Sequence, residues 1–159
     1  MSKNIIIFSV VVAICGLSWA EVTNAGRRFP WGATITHSQA NYYSSSSYSY
    51  DISATRDYHP TWNDGVSPYT SPVGSFAANG YGLYDMAGNV WERCNDWYSS
   101  SYYSSSPTNN PTGPINGELR LCRGGAWGTD ATYCRVAYRL HLTPGNRTSA
   151  VGFRCVLDF

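Results

Sequence analysis

The chain has 159 residues, a formal net charge of +1, 13% charged residues and 15% aromatic residues. That length suits one domain able to bury a real core, and so little charge excludes nucleic-acid binding driven by phosphate neutralisation. Thirteen Tyr and six Trp supply enough apolar surface to exclude wholesale disorder, while 15 Gly and eight Pro exclude a helical bundle in favour of short elements and loops.

Lys3 gives the N-terminus a weak positive end, Ile5 to Leu17 is an apolar run, and Ser18-Trp19-Ala20 places small residues at the cleavage-determining positions. The expectation is a signal peptide over 1–20 and a domain over 21–159, secreted, periplasmic or on the cell surface. The run falls short of the ~20 apolar residues that span a bilayer, so no stable membrane span is expected. Cys15 lies in this leader. Cys94, Cys122, Cys134 and Cys155 remain, and an even set in an oxidising compartment suggests two disulfides, in any of three connectivities. No C-x-x-C pair exists and His37, His59 and His141 are scattered, so no zinc or iron site of standard spacing is visible.

Pro30-Trp31-Gly32 predicts a tight turn, as do Asn63-Asp64-Gly65 and Asn79-Gly80. Tyr42 to Tyr50 (YYSSSSYSY) and Tyr98 to Ser106 (YSSSYYSSS) hold seven of the 13 Tyr and otherwise only Ser. They read either as polar surface loops or as a contact surface, in which Tyr gives rigid amphipathic area and Ser adaptable hydrogen bonds. Asp85 to Arg93 predicts one helical turn or a tight loop, because Gly88 interrupts anything longer. Asn109 to Gly117 must be a loop. The strand candidates are Leu119 to Arg123, Val136 to Leu140 and Gly152 to Leu157. The class expected is α+β with few short strands and helices and much irregular loop.

The blocks GYGLYDMAGNVWERCNDWY (80–98), RLCRGGAW (120–127), CRVAYR (134–139) and VGFRCVLDF (151–159), preceded by RFPWG (28–32) and SQAN (38–41), resemble the formylglycine-generating enzyme, or sulfatase-modifying factor, family. The resemblance covers about Arg27 to Phe159 and implies a C-type-lectin-like fold. Typical members carry a further N-terminal portion before the Pro-Trp-Gly block. Its absence here implies a shortened fold, completion by a partner chain, or a truncated product.

The resemblance also implies two calcium sites built from hard oxygens. One falls on Asn41 and Asp64 with the carbonyls of Tyr42 and Val66. The other falls on Asp85 and Glu92 with the carbonyls of Gly88 and Val90. Read as residues alone, Asp85 could instead cap a turn and Glu92 could make a surface ion pair. Active members oxidise a substrate cysteine to formylglycine with oxygen and copper(I), the metal held by C-x4-C after Gly-Gly-Ser. Here Ala126 follows Gly124-Gly125, Thr129 takes the first cysteine position, and Cys134 the second. Counting back from Gly-Phe-Arg, the interval is too short and Cys134 matches neither. Either way the pair is missing, so Cys134 is the lone catalytic candidate and reads better as a disulfide partner or buried thiol. Copper(I) is not expected to bind, and Trp91 reads as core packing.

Domains with these C-terminal motifs also resemble the variable proteins of diversity-generating retroelements, in which residues around the last motifs form a ligand surface. That implies contacts over Gly128 to Tyr133 and Leu140 to Ala150, with Trp127, Tyr133 and His141 as aromatic anchors. The function expected is a calcium-stabilised, non-catalytic module for a protein or glycan ligand. The alternative is a formylglycine-generating oxidoreductase acting on a sulfatase-type protein.

Overall fold

The computed structural model describes residues 10–11, 27–109 and 111–156. Apart from Val10–Val11, the expected leader lies outside the described residues, as does Cys15. Strands are short. Val10–Val11 (β1) pairs in parallel with Cys155–Val156 (β6). Trp91–Trp97 (β2), Arg120–Arg123 (β3), Leu140–Leu142 (β4) and Val151–Gly152 (β5) form a four-stranded sheet in the order β4-β3-β2-β5. β3 runs antiparallel to both β2 and β4, whereas β5 is parallel to β2.

Side-chain alternation gives this sheet two chemically different faces. Trp91 lies opposite Val151, and Cys122 opposite Leu140. With Ala126, Tyr133, Tyr138 and Leu142 they make one apolar cluster. The other face begins with Glu92 opposite Arg123. The β2–β5 ladder spans two residue pairs; at about 1 kcal/mol net per hydrogen bond it is held more by Trp91–Val151 burial than by its backbone.

A second core is built from loops: Phe29, Ile35, Ala40, Tyr42, Ala87, Ala131 and Cys134, flanked by Trp31 and Tyr50. The Pro30-Trp31-Gly32 turn forms as expected, with Phe29 and Gly32 exchanging backbone hydrogen bonds of 2.9 and 3.2 Å. The indole of Trp31 donates to the Thr34 carbonyl at 2.9 Å, and the Phe29 and Trp31 rings stack at 6.3 Å. His37 and His59 brace the same region. His59 Nε2 donates to the His37 carbonyl (2.7 Å) while its Nδ1 accepts the Thr61 N–H (3.2 Å), which makes it a neutral imidazole with one nitrogen in each role. Burial lowers the pKa of both rings.

Four expectations need correction. Regular helix among the described residues reduces to a 3-10 turn at Tyr102–Ser104, so the helical half of an α+β description is not met. The strand placed at Val136 to Leu140 begins at Leu140, because Ala131 to Ala137 is a chain of turns, and the C-terminal strand splits into β5 and β6. The four described cysteines are free thiols: Cys122 opposes Arg93 and shares its face of the sheet, so Cys94, one residue further, leaves on the other. Cys134 lies in the loop core and Cys155 is exposed. Finally, Tyr42 to Tyr50 is only partly a surface loop: Ser46, Ser47 and Ser49 are exposed, but its ends are anchored in the interior. Tyr42 and Ser44 are buried, with the Tyr42 hydroxyl donating to Asp51 at 2.6 Å. Tyr43 N–H donates to the Thr129 carbonyl (2.9 Å), and the Tyr50 hydroxyl meets Thr132 Oγ1 (2.9 Å), which stitches the segment onto the loop before Cys134.

Candidate functional site

Asp85 to Val90 is a tight loop. Asp85, Gly88 and Asn89 all hold positive φ (52°, 79° and 66°), a conformation that turns the chain too sharply for helix. The loop is pinned on both sides. Gly88 N–H donates to the Gly124 carbonyl (2.7 Å), Asn89 N–H to the Asn41 carbonyl (2.7 Å), and Trp127 N–H to the Asn89 carbonyl (2.8 Å). The Asn89 side chain bonds the Ser71 backbone in both directions, at 2.9 and 3.2 Å. Thus the GNVWE and RGGAW blocks, far apart in the chain, are one structural unit.

Besides the Ser71 hydroxyl, one carboxylate and one amide oxygen in this unit are left over. Asp85 Oδ2 accepts the Gly74 N–H at 2.5 Å and Asn41 Nδ2 donates to the Tyr69 carbonyl at 2.8 Å. Asp85 Oδ1 and Asn41 Oδ1 are buried with no hydrogen-bond partner. Orphaned buried acceptors need a donor or a cation, and an oxygen-only set suits calcium in particular. Glu92 is gripped by Arg154, whose Nε donates to Oε2 at 2.6 Å and whose Nη2 donates to Oε1. The same guanidinium donates to the carbonyls of Tyr84 (3.0 Å) and Asp85 (2.9 Å). This is a buried pair and not a surface one. Burial raises the pKa of both Asp85 and Glu92, opposed at Asp85 by the Gly74 N–H and at Glu92 by Arg154. Asp85, Gly88, Val90 and Glu92 therefore share one loop and the start of β2. Of the other set, Asn41 is fully buried and the Tyr42 carbonyl accepts from His37 Nε2 at 3.1 Å. Asp64 and Val66 sit in an exposed turn, where Asp64 Oδ1 accepts the Val66 N–H at 3.0 Å.

Cys134 is 1% exposed, and burial pushes its thiol up, away from the thiolate that nucleophiles and soft-metal ligands require. Gly125, at φ 80°, packs so closely that a Cβ there would lie 2.7 Å from Cys134 Sγ. Thr129 Oγ1 accepts the Ala126 N–H at 2.9 Å and donates to the Ala126 carbonyl at 3.0 Å, closing the turn. One enclosed thiol and one hydroxyl committed to a turn do not fit copper(I), which calls for paired soft sulfur ligands.

The three aromatic anchors fall in separate ring groups. Trp127 meets Tyr69 edge-on at 5.3 Å and Tyr58 at 5.8 Å. Tyr133 packs on Tyr138 at 4.8 Å and Trp91 at 6.1 Å, as part of the sheet core. His141 is exposed on β4 and stacks on Tyr98 at 4.1 Å. Residues 16–159 match the sulfatase-modifying factor enzyme 1-like domain.

The chain belongs to this family.

A formylglycine-generating enzyme of Streptomyces coelicolor is 39% identical over 137 residues, covering 84% of this chain and 41% of that protein. Among solved structures, Treponema denticola variable protein 1 superposes with a TM-score of 0.63 at 30% identity, over 85% of this chain and 43% of its own. PvdO from Pseudomonas aeruginosa superposes with a TM-score of 0.58 at 29% identity, over 87% of this chain and 50% of its own. The chain thus spans half the length of these relatives or less. The sulfatase-modifying factor fold they share, C-type-lectin-like with short strands and long loops, accounts for the architecture above. Within it, sequence reasoning missed Arg154 as the partner of Glu92. Its Gly-Phe-Arg block was visible, but nothing local links it to a carboxylate 62 residues earlier.

Proposed function

We propose that this chain is a calcium-stabilised binding domain of the sulfatase-modifying factor family, exported from the cytoplasm, that lacks the copper oxidase reaction. The observation that carries it is the state of the two positions where a copper pair would stand: Cys134 is enclosed against Gly125, and Thr129 is hydrogen-bonded into its own turn. The likeness to a variable protein supports binding as the remaining role, with a protein or glycan as ligand. Tyr84 and Phe153, 51% and 57% exposed beside the Arg154 grip, are apolar surface against which a protein partner would pack. Incubation with copper(I), oxygen and a cysteine-containing sulfatase peptide tests the reading. Mass spectrometry should show the peptide unchanged. Conversion to the aldehyde would instead establish a formylglycine-generating oxidoreductase, the reading favoured by likeness to the Streptomyces enzyme.

Calcium would be held by Asp85 and the carbonyls of Gly88 and Val90, with Glu92 joining only on release from Arg154, and by Asn41 with Asp64 and the carbonyls of Tyr42 and Val66. Bound there, one ion would supply positive charge to the orphaned Asp85 oxygen and a second to that of Asn41, each tying its own loops together. At a hundredfold excess over its dissociation constant, each calcium should stabilise the fold by about 2.7 kcal/mol, or roughly 5–10 °C in a thermal melt. EDTA should reverse the shift and Asp85→Ala should remove the share that comes from its own site. A melting temperature indifferent to calcium would delete both sites.

A further inference from the structure

The second Tyr–Ser segment behaves differently from the first. Tyr98 to Ser106 stays at the surface, with Tyr103 65% exposed. It brings four groups into one row. The His141 ring stacks on Tyr98 at 4.1 Å, and the Arg139 guanidinium lies over both the Tyr98 and Tyr103 rings, 4.8 and 4.7 Å from their centroids. Arg139 Nη2 donates to the Ser99 carbonyl (2.9 Å), which holds the side chain in place, while its Nε is buried without a partner. The half-buried Asp96 carboxylate, two residues before Tyr98, feels the charges of Arg123, Arg139 and Arg120. Ser100, Ser101, Ser104 and Ser105 surround the row with exposed hydroxyls.

We propose that this row, His141–Tyr98–Arg139–Tyr103, binds an acidic glycan, a sugar chain bearing carboxylate or sulfate groups. The exposed rings of Tyr103 and His141 offer flat amphipathic area to the C–H face of a sugar, and serine rotors adapt to its hydroxyls. A guanidinium fixed by its Ser99 bond and held against the rings keeps Nη1 for an oxyanion, where a charge-assisted bond is roughly twice as strong as a neutral one. A cation–π contact kept for stability alone has no need of a tyrosine that is two-thirds exposed.

The inference rests on the binding-domain reading but is tested apart from it: aldehyde formation refutes that reading whatever the sugar result, and a negative sugar result refutes this surface alone. The full chain is titrated by calorimetry with a polygalacturonate oligomer, a heparin-derived oligosaccharide, a neutral dextran oligomer and poly-glutamate. Binding to either acidic sugar, weakened by salt and reduced at least tenfold in Tyr103→Ser with an unchanged thermal melt, supports the proposal, and the stronger of the two identifies the anionic group. Arg139→Lys should lose a similar factor, because it keeps the charge and discards the planar fork. No binding by either acidic sugar, equal binding of dextran or poly-glutamate, or full affinity in Tyr103→Ser would each overturn it.

Discussion

Asp51→Ala should cost the fold about 3–5 kcal/mol, the range for uncompensating a buried charged hub. Asp51 is 3% exposed and organises the first Tyr–Ser segment around one carboxylate. Its Oδ1 accepts from the Tyr42 hydroxyl (2.6 Å), the Ser44 hydroxyl (3.0 Å) and the Ser53 N–H (3.3 Å), while Oδ2 accepts the Ser45 N–H (2.9 Å). Arg56 pairs with it at 3.2 Å, but that side chain is 42% exposed and solvent screens its share. The loss comes mainly from donors left buried without acceptors. Tyr42→Phe removes one such donor together with its bond and should cost less, about 1 kcal/mol. Urea unfolding of the three proteins measures the order. If Asp51→Ala moves stability by less than Tyr42→Phe, the carboxylate is not the organising group.

Gly88→Ala should be comparably damaging for a different reason. At φ 79° an L-residue pays about 1–2 kcal/mol in backbone strain. A Cβ there would also stand 2.4 Å from the Asn41 carbonyl oxygen and 3.0 Å from its carbon. That oxygen already accepts the Asn89 N–H, so it cannot retreat without breaking the contact between the two orphan-bearing loops. Overpacking adds about 1–3 kcal/mol, for a total of roughly 2–5. Gly82 is the natural control: its φ is 77°, yet nothing lies within 4 Å of an added Cβ. Gly82→Ala should therefore show strain alone, and should leave any calcium-induced rise in melting temperature intact while Gly88→Ala abolishes it. Equal destabilisation by the two alanines would show that the close approach of Gly88 to Asn41 is not needed.

How far the chain can be read locally depends on how far its interactions reach. The Phe29–Gly32 turn and the strand at Arg120–Arg123 were legible because their signals, a Pro-Trp-Gly punctuation and a short run of strand formers, lie within the elements themselves. Trp91–Trp97 was not read as a strand, since WERCNDW mixes charged and apolar residues without clean alternation. Its charged positions make sense only once Arg123 and Arg154 face Glu92. The two Tyr–Ser segments look alike in composition, yet one is scaffold and the other surface. The difference is Asp51, buried next to the first; the second has no buried acceptor of that kind in its hydrogen bonds and stays in solvent.

From its amino acids alone, this chain determined its family and its poverty in regular structure. Each depends on which residue types stand in which order, and order survives unfolding. Tertiary structure decided the rest. It left the four cysteines unpaired, set Arg154 on Glu92, divided Trp127, Tyr133 and His141 among three ring groups, and gathered Tyr98, Tyr103, Arg139 and His141 into a single exposed row. Those outcomes turn on which sheet face or loop a residue enters, and in a domain tied by long-range loop contacts that choice is made by partners distant in the chain.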